Sequence, residues 1–256
     1  MKRIESPQNS LVKYWKKLAT TRKERDRSGE FLIEGFHLVE EAIKNESEIL
    51  NLIVREDVDI PASWNIDNIY VVEVTAQVAN EFAETEHSQG IFAQVKQPTV
   101  SDEEQNKWTK LLLVDAVQDP GNVGTMIRTA DAAGIDAVIL GKGSADPFNP
   151  KTVRSTQGSI FHIPVVRGEL SDWIDSLKEK GVRVYGTALE NAVLYNQVKK
   201  EGKFALVMGN EGSGIDAQLL AKTDANVIIP IMGKAESLNV AVATGIVLYY
   251  FATEEF

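Results

Sequence analysis

The sequence contains no cysteine, which excludes disulfide bonds and thiolate metal sites and leaves the redox compartment open. No apolar run approaches the roughly 20 residues that are needed to cross a bilayer, so no membrane association is expected. The N-terminus is basic but lacks the apolar stretch of a signal peptide, so the cytoplasm is the default location. His37, His87 and His162 are scattered without metal-ligand spacing. We therefore interpret the histidines as structural and expect no metal.

The charge of the chain is unevenly distributed. The net charge of −10 over 256 residues argues, taken as a sum, against a nucleic-acid partner. However, residues 1–27 contain nine Lys or Arg against three acidic residues, so this segment carries +6 and the remainder −16. A basic arm on an acidic body can hold a phosphate backbone. A solvated helix face would explain the same charges equally well.

Apolar periodicity predicts a small α/β module over residues 1–100. Leu11, Trp15 and Leu18 fall on one helix face at i, i+4 and i+7 spacing. The polar segment that follows (QPTVSDEEQNK, 97–107) contains Pro98 and predicts a linker, placed at 101–107, before a second domain over 108–256. The module is predicted to contain helices over 9–18, 34–44 and 75–83, and strands over 49–54, 69–74 and 91–95.

From residue 108 onward, short apolar runs alternate with stretches of helical length. This alternation predicts an α/β domain with a mainly parallel sheet and helices on both faces. Asn149 and Pro150 form a favourable helix start, with Asn as N-cap. The last segment, 239–251, is almost wholly apolar and must be buried in the domain or against a second subunit. The predicted strands are 111–114, 137–140, 163–166, 182–187, 204–208 and 227–230, and the predicted helices are 123–133, 150–159 and 170–180.

Three loops that follow predicted strands have unusual compositions, and ligands of α/β sheets bind beyond the carboxyl ends of strands. The first (DAVQDPGNVGTMIRTA, 115–130) has a Pro-Gly turn, then Asn122, which can cap the next helix, and Arg128 in its second turn. A capped turn with a surface arginine would explain this loop by itself.

The second loop (LVMGNEGSGI, 206–215) contains three glycines but lacks the Lys-Ser/Thr of a Walker A loop. Its acid, Glu211, is better suited to accepting hydrogen bonds than to holding phosphate, although a plain glycine turn is equally compatible. In the third loop (IIPIMGKAESLNVAVA, 228–243), Ser237 and Asn239 open an apolar helix, and capping alone could explain both.

Taken together, the three loops resemble the SpoU (TrmH-like) family of RNA ribose 2′-O-methyltransferases. The matching motifs are DPGNVG with the following RTA (128–130), MGNEG (208–212), and IP followed by SLNVAVA (237–243), spaced as in that family. The N-terminal part resembles the family's RNA substrate-binding module, which opens here with EFLIEG (30–35). Ala241 departs from the pattern, because relatives often have serine there.

The resemblance implies a SPOUT-like α/β knot in the C-terminal domain, with S-adenosylmethionine bound in the knot largely by backbone groups. On this chain it implies Gly209, Ile229 and Leu238 as cofactor-binding residues, with Met232 nearby. Members of the family are usually homodimers with their sites near the subunit interface. The apolar helix 239–251 is compatible with that arrangement.

The resemblance also implies the catalytic residues. A neutral 2′-hydroxyl must lose its proton as it attacks the methyl group. Family mechanisms assign the base to the arginine at position 128, but arginine is effectively always protonated. We therefore hypothesise that Arg128 mainly stabilises the developing alkoxide or clamps the adjacent phosphate. Asn122 would orient the ribose or Arg128, Glu211 would position Asn122 or the loop, and Ser237 and Asn239 would shape the pocket.

Several basic residues are candidates for RNA binding. Arg154 lies at the start of a predicted helix, an end that favours anions, and predicts a phosphate contact. Surface solvation would explain Arg154 equally well. The basic arm contributes the further candidates Lys13, Lys16, Lys17, Arg22 and Lys23.

Ribosomal RNA is preferred over transfer RNA as the substrate, because the separate module in relatives recognises a folded RNA element. Two other functions stay open. A non-catalytic ribosome-assembly factor would suit the basic arm, but it would not need all five candidate catalytic residues. A nucleotide-dependent oxidoreductase would fit the sheet, but the chain lacks the glycine fingerprint with an acid some twenty residues later. Titration with S-adenosylmethionine and with a dinucleotide separates the three.

Overall fold

The computed structural model describes residues 2–85 and 87–253. Twelve strands lie in these residues: β1 (Lys2–Ile4), β2 (Glu30–Glu34), β3 (Ile49–Arg55), β4 (Val71–Val74), β5 (Ile91–Lys96), β6 (Lys110–Val114), β7 (Ala137–Leu140), β8 (Val165–Arg167), β9 (Arg183–Thr187), β10 (Val193–Leu194), β11 (Phe204–Met208) and β12 (Ala225–Ile228).

Ten α-helices lie in the same residues: α1 (Ser10–Thr20), α2 (Arg22–Ser28), α3 (Phe36–Lys44), α4 (Ala76–Ala79), α5 (Asp102–Gln105), α6 (Pro120–Ala132), α7 (Pro150–Thr156), α8 (Leu170–Glu179), α9 (Ala217–Leu220) and α10 (Val240–Ala252). Short 3-10 helices are present at Ser159–Phe161 and Tyr195–Gln197.

The chain divides into two compact units whose boundary differs from the predicted one. The N-terminal unit contains the described residues up to Thr99 together with Asp146–His162, and the C-terminal unit contains Val100–Ala145 and the described residues from Ile163 onward. Helix α7, expected in the second domain, is therefore part of the N-terminal unit. The segment predicted as a linker, 101–107, contains helix α5 and belongs to the C-terminal unit.

The N-terminal unit is built on a mixed five-stranded sheet with the order β1-β4-β3-β5-β2. Strand β5 runs antiparallel to β2 and β3, whereas β4 is parallel to β1 and β3. Helix α1 begins after Asn9, whose side chain accepts a hydrogen bond from the backbone N–H of Leu11, and it buries Val12, Trp15 and Leu18. The predicted module is thus an α/β unit, extended by strands β1 and β2 and by helix α2.

Residues 146–162 are held in the N-terminal unit by a buried ion pair. The Arg25 and Asp146 side chains are only 2% and 7% exposed, and Arg25 Nη2 lies 2.8 Å from Asp146 Oδ2. Arg25 Nε donates to the same oxygen at 2.8 Å, and Arg25 Nη1 donates to the carbonyl of Leu18 at 2.6 Å. Phe31 and Phe148 pack with ring centroids 4.9 Å apart. Arg25, although it is counted in the basic segment, is therefore a core residue.

The C-terminal unit has the predicted parallel sheet. Its seven strands have the order β10-β12-β9-β11-β6-β7-β8, and every pairing between neighbours is parallel. The central strands β6 and β11 are almost completely buried, as expected for strands covered on both faces. Because all strands run the same way, the carboxyl ends of β6, β11 and β12 open onto one edge of the sheet.

Two predicted helix starts have different outcomes. Asn149 caps α7 with Pro150 in the first turn, as predicted. Helix α6, in contrast, begins three residues earlier than expected, because Asp119 is the N-cap and accepts from the backbone N–H of Asn122 at 2.9 Å. The prediction that Asn122 caps this helix is wrong, because Asp119 is the cap. The side chain of Asn122 is therefore available to other partners.

The last helix, α10, packs against α6 and is buried on one side through Val240, Thr244, Val247 and other residues. Its opposite side exposes Val242 (53%) and Tyr249 (44%). Among the described residues, no helix has the length and apolar character to cross a membrane. The knot stays a prediction, since strand order and register do not test how the chain is threaded.

Candidate active site

Three loops at the carboxyl ends of β6, β11 and β12 are joined by side-chain hydrogen bonds. We call them L1 (115–119), L2 (209–216) and L3 (229–239). Glu211 of L2 accepts from the backbone N–H groups of Gln118 and Asp119 at 3.2 Å each, and from Asn122 Nδ2 at 3.0 Å. Asn239, the last residue of L3, donates from Nδ2 to Asn122 Oδ1 at 2.9 Å. Residues that are far apart in the chain thus meet at one point.

These contacts fix the orientation of both asparagine side chains. Asn122 must point its amide nitrogen at the Glu211 carboxylate, which can only accept, so its oxygen faces Asn239. The oxygen of Asn239 accepts from the backbone N–H groups of Ala241 and Val242 at 2.9 and 3.3 Å, and therefore caps α10. The side-chain oxygen of Asn239 thus caps α10, and its side-chain nitrogen binds Asn122.

Glu211 is held as a carboxylate. Burial by itself would raise its pKa, but the hydrogen bonds from Asn122 and from the backbone N–H groups of Gln118 and Asp119 outweigh that effect. The net result is a pKa below the usual value for a glutamate. The negative charge of Glu211 therefore faces donors of L1 and Asn122, and its positioning role stays a prediction.

Loop L2 closes tightly on itself. A Cβ atom at Gly209 would lie 2.2 Å from the backbone carbon of Gly214, so only glycine fits there. Asn210 Oδ1 accepts from the backbone N–H groups of Gly212 and Ser213, while its Nδ2 donates to the carbonyl of Ala116 at 2.7 Å. Ala116 has a φ of +54°, an uncommon value for a residue with a side chain.

Sequence reasoning missed the residues that shape L1 and L2 from within. Asp115 accepts from the backbone N–H of Asp216 at 2.7 Å, and Asn210 joins L2 to L1. Asn210 stands inside the MGNEG motif that carried the family resemblance, and Asp115 stands four residues before the DPGNVG motif. A short polar side chain directly after a buried strand is the signal that could have identified them.

Loop L3 has the features of a site for a flat, partly apolar ligand. Met232 is 92% exposed and Leu238 is 38% exposed, whereas Ile229 is half-buried. Within the described residues, the backbone N–H and C=O groups of residues 229–238 form no hydrogen bond with other backbone groups. Unpaired main-chain groups beside exposed apolar side chains fit a cofactor that is bound largely through the backbone, as predicted for S-adenosylmethionine.

Two of the five predicted catalytic residues stand apart from the network. Arg128 is exposed on α6, and Ser237 is exposed in L3. Neither residue shares a hydrogen bond with Asn122, Glu211 or Asn239 in the part of the chain that the structure describes. The guanidinium of Arg128 is therefore not neutralised by the carboxylate of the network.

The predicted RNA-binding residues of the basic segment are not on a free arm. Lys13, Lys16 and Lys17 lie on the exposed face of α1, with Lys16 paired to Glu81 at 2.9 Å. On α2, Lys23 is exposed and Arg22 pairs with Asp26 at 3.3 Å. These residues therefore form a basic face of a folded unit.

Arg154 differs from its prediction. It lies in the last turn of α7, so the N-terminal end of the helix does not contribute to any anion site at this side chain. Its Nη1 pairs with Glu84 Oε2 at 2.8 Å, with Arg154 45% exposed. The premise of a phosphate contact at a helix start is wrong, although contact with RNA stays a prediction.

His37 and His162 have hydrogen-bond partners, and His37 departs from the predicted scattering because it lies beside two carboxylates. His37 Nε2 donates to the carbonyl of Gln157, and His162 Nε2 pairs with Glu41 Oε2, each at 3.0 Å. On α3, His37 also comes together with Glu40 and Glu41, whose ligand atoms lie within 4.8 Å of one another. Because Glu41 already accepts from His162 and Lys44, the group is satisfied by protein contacts.

Comparisons with known proteins match both units. The profile of the SpoU rRNA Methylase family matches residues 110–249, and that of the MRM3-like substrate binding domain matches residues 9–93. The chain belongs to the SpoU rRNA methylase family.

Individual relatives cover nearly the whole chain. The 23S rRNA (guanosine(2553)-2′-O)-methyltransferase RlmP of Bacillus subtilis (strain 168) is 52% identical, covering 98% of this chain and 99% of its own. An AdoMet-bound rRNA methyltransferase from Sinorhizobium meliloti has a TM-score of 0.87 at 35% identity, covering 97% and 96%. The SpoU methyltransferase AviRb from Streptomyces viridochromogenes, solved with AdoMet, has a TM-score of 0.85 at 27% identity, covering 96% and 97%.

Proposed function

We propose that this protein transfers a methyl group from S-adenosylmethionine to the 2′-hydroxyl of a ribose in ribosomal RNA. The observation that carries the proposal is the Glu211–Asn122–Asn239 network, which joins three loops at one edge of a parallel sheet. Family membership and 52% identity to a 23S rRNA 2′-O-methyltransferase support the same reaction. Methylation of ribosomal RNA also supports a cytoplasmic location.

The cofactor is held by L2 and L3. Gly209 lets L2 close, and the unpaired backbone groups around Ile229 and Leu238 are available to bind the adenine and ribose of the cofactor. Met232, which is exposed, adds apolar contact at the rim. When bound, S-adenosylmethionine supplies a methyl group on a positively charged sulfur, so no metal is required to activate it.

The protein's task is to lower the cost of ionising the ribose oxygen. A 2′-hydroxyl loses its proton as its oxygen gains the methyl group, so negative charge develops on that oxygen. Arg128 carries a positive charge that the network leaves uncompensated, and it stabilises this charge or holds the adjacent phosphate. Asn122 and Asn239, rigidly oriented by Glu211 and by α10, hold the loops in place, with Ser237 completing the pocket.

RNA is held partly by the basic face of the N-terminal unit. Lys13, Lys17 and Lys23 are exposed there, together with Lys16 and Arg22, whose weak surface ion pairs can be exchanged for phosphate contacts. This unit acts as the substrate-binding domain and the C-terminal unit as the methyltransferase domain. Guanosine is the expected target nucleoside, by analogy with the RlmP relative.

A second copy of the chain covers the exposed side of α10. Val242, Ile246 and Tyr249 recur there at i, i+4 and i+7 spacing, which gives an apolar stripe on a helix that is otherwise buried. Sedimentation equilibrium is expected to give twice the chain mass. Replacing Val242 by Glu should shift it to the monomer, and a monomeric wild type would reject this part of the proposal.

The first test is transfer of tritium from labelled S-adenosylmethionine. Ribosomal RNA and bulk transfer RNA from cells that lack the gene are the substrates, and the product is hydrolysed with alkali. Label in an alkali-resistant dinucleotide from ribosomal RNA is the expected result. Label in mononucleotides would mean base methylation and would reject the mechanism. No label together with no cofactor binding would favour the assembly-factor alternative.

The second test concerns Arg128. Replacing it by Ala should lower the methylation rate by about 10²–10³-fold, as for the loss of one preorganised charge donor, while cofactor affinity is unchanged. Arg183→Ala, which removes an exposed arginine at the start of β9, is the matched control. An Arg128→Ala protein that methylates at the wild-type rate would remove Arg128 from the mechanism.

A further inference from the structure

The N-terminal unit contains a cleft that the methyl-transfer site does not use. It has a volume of about 320 Å³ and lies between β2, the start of α3, the segment that precedes β5, and α7. Volumes of this size accommodate a small ligand or one unit of a polymer. We call it the Glu84 cleft, after the carboxylate that stands in its wall.

The Glu84 cleft combines an apolar floor with a polar wall. Leu32, Ile33 and Leu38 from β2 and α3 and Val153 from α7 form apolar lining, and all four are buried. Glu34, Glu84, Gln89 and Arg154 are among the polar lining residues. Such a floor suits the face of a flat ring, while the wall can read the polar edge of that ring.

The carboxylate of Glu84 and the guanidinium of Arg154 lie side by side. Arg154 Nη1 donates to Glu84 Oε2 at 2.8 Å, and both side chains stay partly exposed, at 45% and 32%. In the described residues, Glu84 Oε1 and the remaining N–H groups of Arg154 have no other side-chain partner. The pair therefore presents a row of free acceptor and donor positions.

Glu34 keeps this pair in place without competing for the ligand. Its two carboxylate oxygens accept from the backbone N–H of Glu84 at 2.9 Å and from Thr85 Oγ1 at 2.8 Å. Burial raises the pKa of Glu84, and the nearby Glu34 adds to this, while Arg154 opposes it. Within the described residues, the Glu84 carboxylate accepts one side-chain hydrogen bond, from Arg154, so a ligand with N–H groups would supply further donors.

The charge of the Glu84 cleft disfavours a phosphate. Two carboxylates stand against one guanidinium, and a phosphate would meet Glu34 and Glu84 as well as Arg154. A neutral ring that carries two adjacent N–H donors and one acceptor matches the wall better. Guanine has this edge, with its N2 amino group and N1–H as donors and O6 as acceptor, whereas adenine and uracil each offer a single donor position.

We propose that the Glu84 cleft binds an unstacked guanine base of RNA, with Glu84 accepting from N1–H and the N2 amino group and Arg154 donating to O6. The inference rests on the proposed RNA substrate and adds a base-reading site to the substrate-binding unit. His37, also in the lining, is exposed and held by Gln157, so its ring is available to stack on the base.

The first experiment uses nucleotides alone. Titration of the full chain with GMP, IMP or inorganic phosphate is followed by NMR of the histidine imidazole signals. GMP is expected to shift the His37 signal, and phosphate is expected to leave it unchanged. IMP lacks the N2 amino group and should therefore bind roughly 10-fold more weakly than GMP. Equal shifts by phosphate and GMP would show an anion site, and no shift by GMP would reject a base site. Either result overturns the proposal.

The second experiment tests whether removal of one negative charge from the cleft strengthens or weakens RNA binding. Glu84→Gln removes a negative charge, so electrostatics alone would tighten binding to a 23S rRNA transcript. Base reading predicts the opposite, about 10-fold weaker binding, because the amide can accept only one of the two guanine protons. Glu40→Gln, the same change on α3 outside the cleft lining, is the control and should bind at least as tightly as wild type.

The two proposals can fail separately. Loss of GMP binding in a protein that still methylates ribosomal RNA would reject the guanine cleft and keep the methyltransferase. GMP binding in a protein that never transfers tritium would keep the cleft and reject the enzyme. Tighter transcript binding by Glu84→Gln would overturn the guanine-binding proposal in either case.

Discussion

The two units differ in the polar contacts that hold them together, which are ion pairs in the N-terminal unit and an asparagine–carboxylate network in the C-terminal unit. In the N-terminal unit, charges serve the fold: Arg25 is buried against Asp146, and Arg3 pairs with Glu5, Glu56 and Glu73. In the C-terminal unit, asparagines and one carboxylate hold the loops, and the cation Arg128 is left exposed. The comparison shows that counting charges along a sequence overstates the number of exposed cations, because a cation such as Arg25 can be part of the core.

The strongest test of this comparison is Arg25→Ala. Arg25→Ala removes the ion pair that Arg25 forms with the buried Asp146 carboxylate, which is expected to lower the free energy of unfolding by about 3–5 kcal/mol in urea denaturation. The Arg25→Met/Asp146→Asn double variant should recover much of this loss, since Asn can still accept from the backbone N–H of Phe148. Unchanged stability with weaker RNA binding would instead make Arg25 a member of the RNA-binding face.

In the C-terminal unit, Gly209→Ala tests whether loop closure makes the cofactor site. The added methyl group would lie against the Gly214 backbone, at a cost of about 1–3 kcal/mol, and calorimetry should show at least about 10-fold weaker S-adenosylmethionine binding. Gly212→Ala is the matched control in the same loop, because its Cβ would meet Asn210 at an ordinary 3.6 Å. Equal cofactor affinity in both variants would contradict the role of L2.

The pH dependence of stability tests whether the network holds Glu211 as a carboxylate. The pKa of Glu211 is lowered in the folded protein, so its contribution is complete above the pKa of about 4.3 of an unfolded glutamate and is lost as the pH falls through the lower folded value. Between about pH 5 and pH 3, the melting temperature of wild type should therefore fall more than that of Glu211→Gln. Parallel curves of melting temperature against pH for the two proteins would mean that the hydrogen bonds to Glu211 do not stabilise its carboxylate. Glu103→Gln serves as a surface control.

The smallest expected effect is that of Lys13→Gln on the basic face. Removal of one phosphate contact should weaken RNA binding several-fold and reduce the slope of log K against log salt by about 1. Lys107→Gln, a surface lysine of the C-terminal unit that pairs with Glu103, should change neither. An unchanged salt slope for Lys13→Gln would leave α1 with a purely structural role.

The elements that the sequence predicted well share one property, a signal within their own residues. Strand β7 and strand β11 have the predicted bounds because continuous apolar runs between crossover helices have no other stable placement. Asn149-Pro150 is likewise a complete helix start. Helix α2 was missed because its residues, RKERDRS, show no apolar period, and only burial of Arg25 gives this helix an inner face.

The candidate site was predicted from motifs more than from physical reasoning on each loop. Loop by loop, a cap or a glycine turn explained Asn122, Glu211 and Asn239 about as well as a ligand site did. Their meeting point depends on strand order, which places β6, β11 and β12 in one sheet although they are far apart in the chain. Arg154 shows the reverse case, because its partner Glu84 lies 70 residues away and changes what the arginine can bind.

By itself, the sequence determined the parallel sheet, the main helices and the residue types that the chemistry needs, because these depend on local apolar patterns and on short motifs. Only the tertiary structure decided that residues 146–162 join the N-terminal unit, that Asp119 caps α6, and that Arg25 lies in the core. Each of these depends on a contact between residues whose spacing in the chain carries no signal. A hydrogen bond or an ion pair of that kind forms only once the surrounding core has brought its partners together.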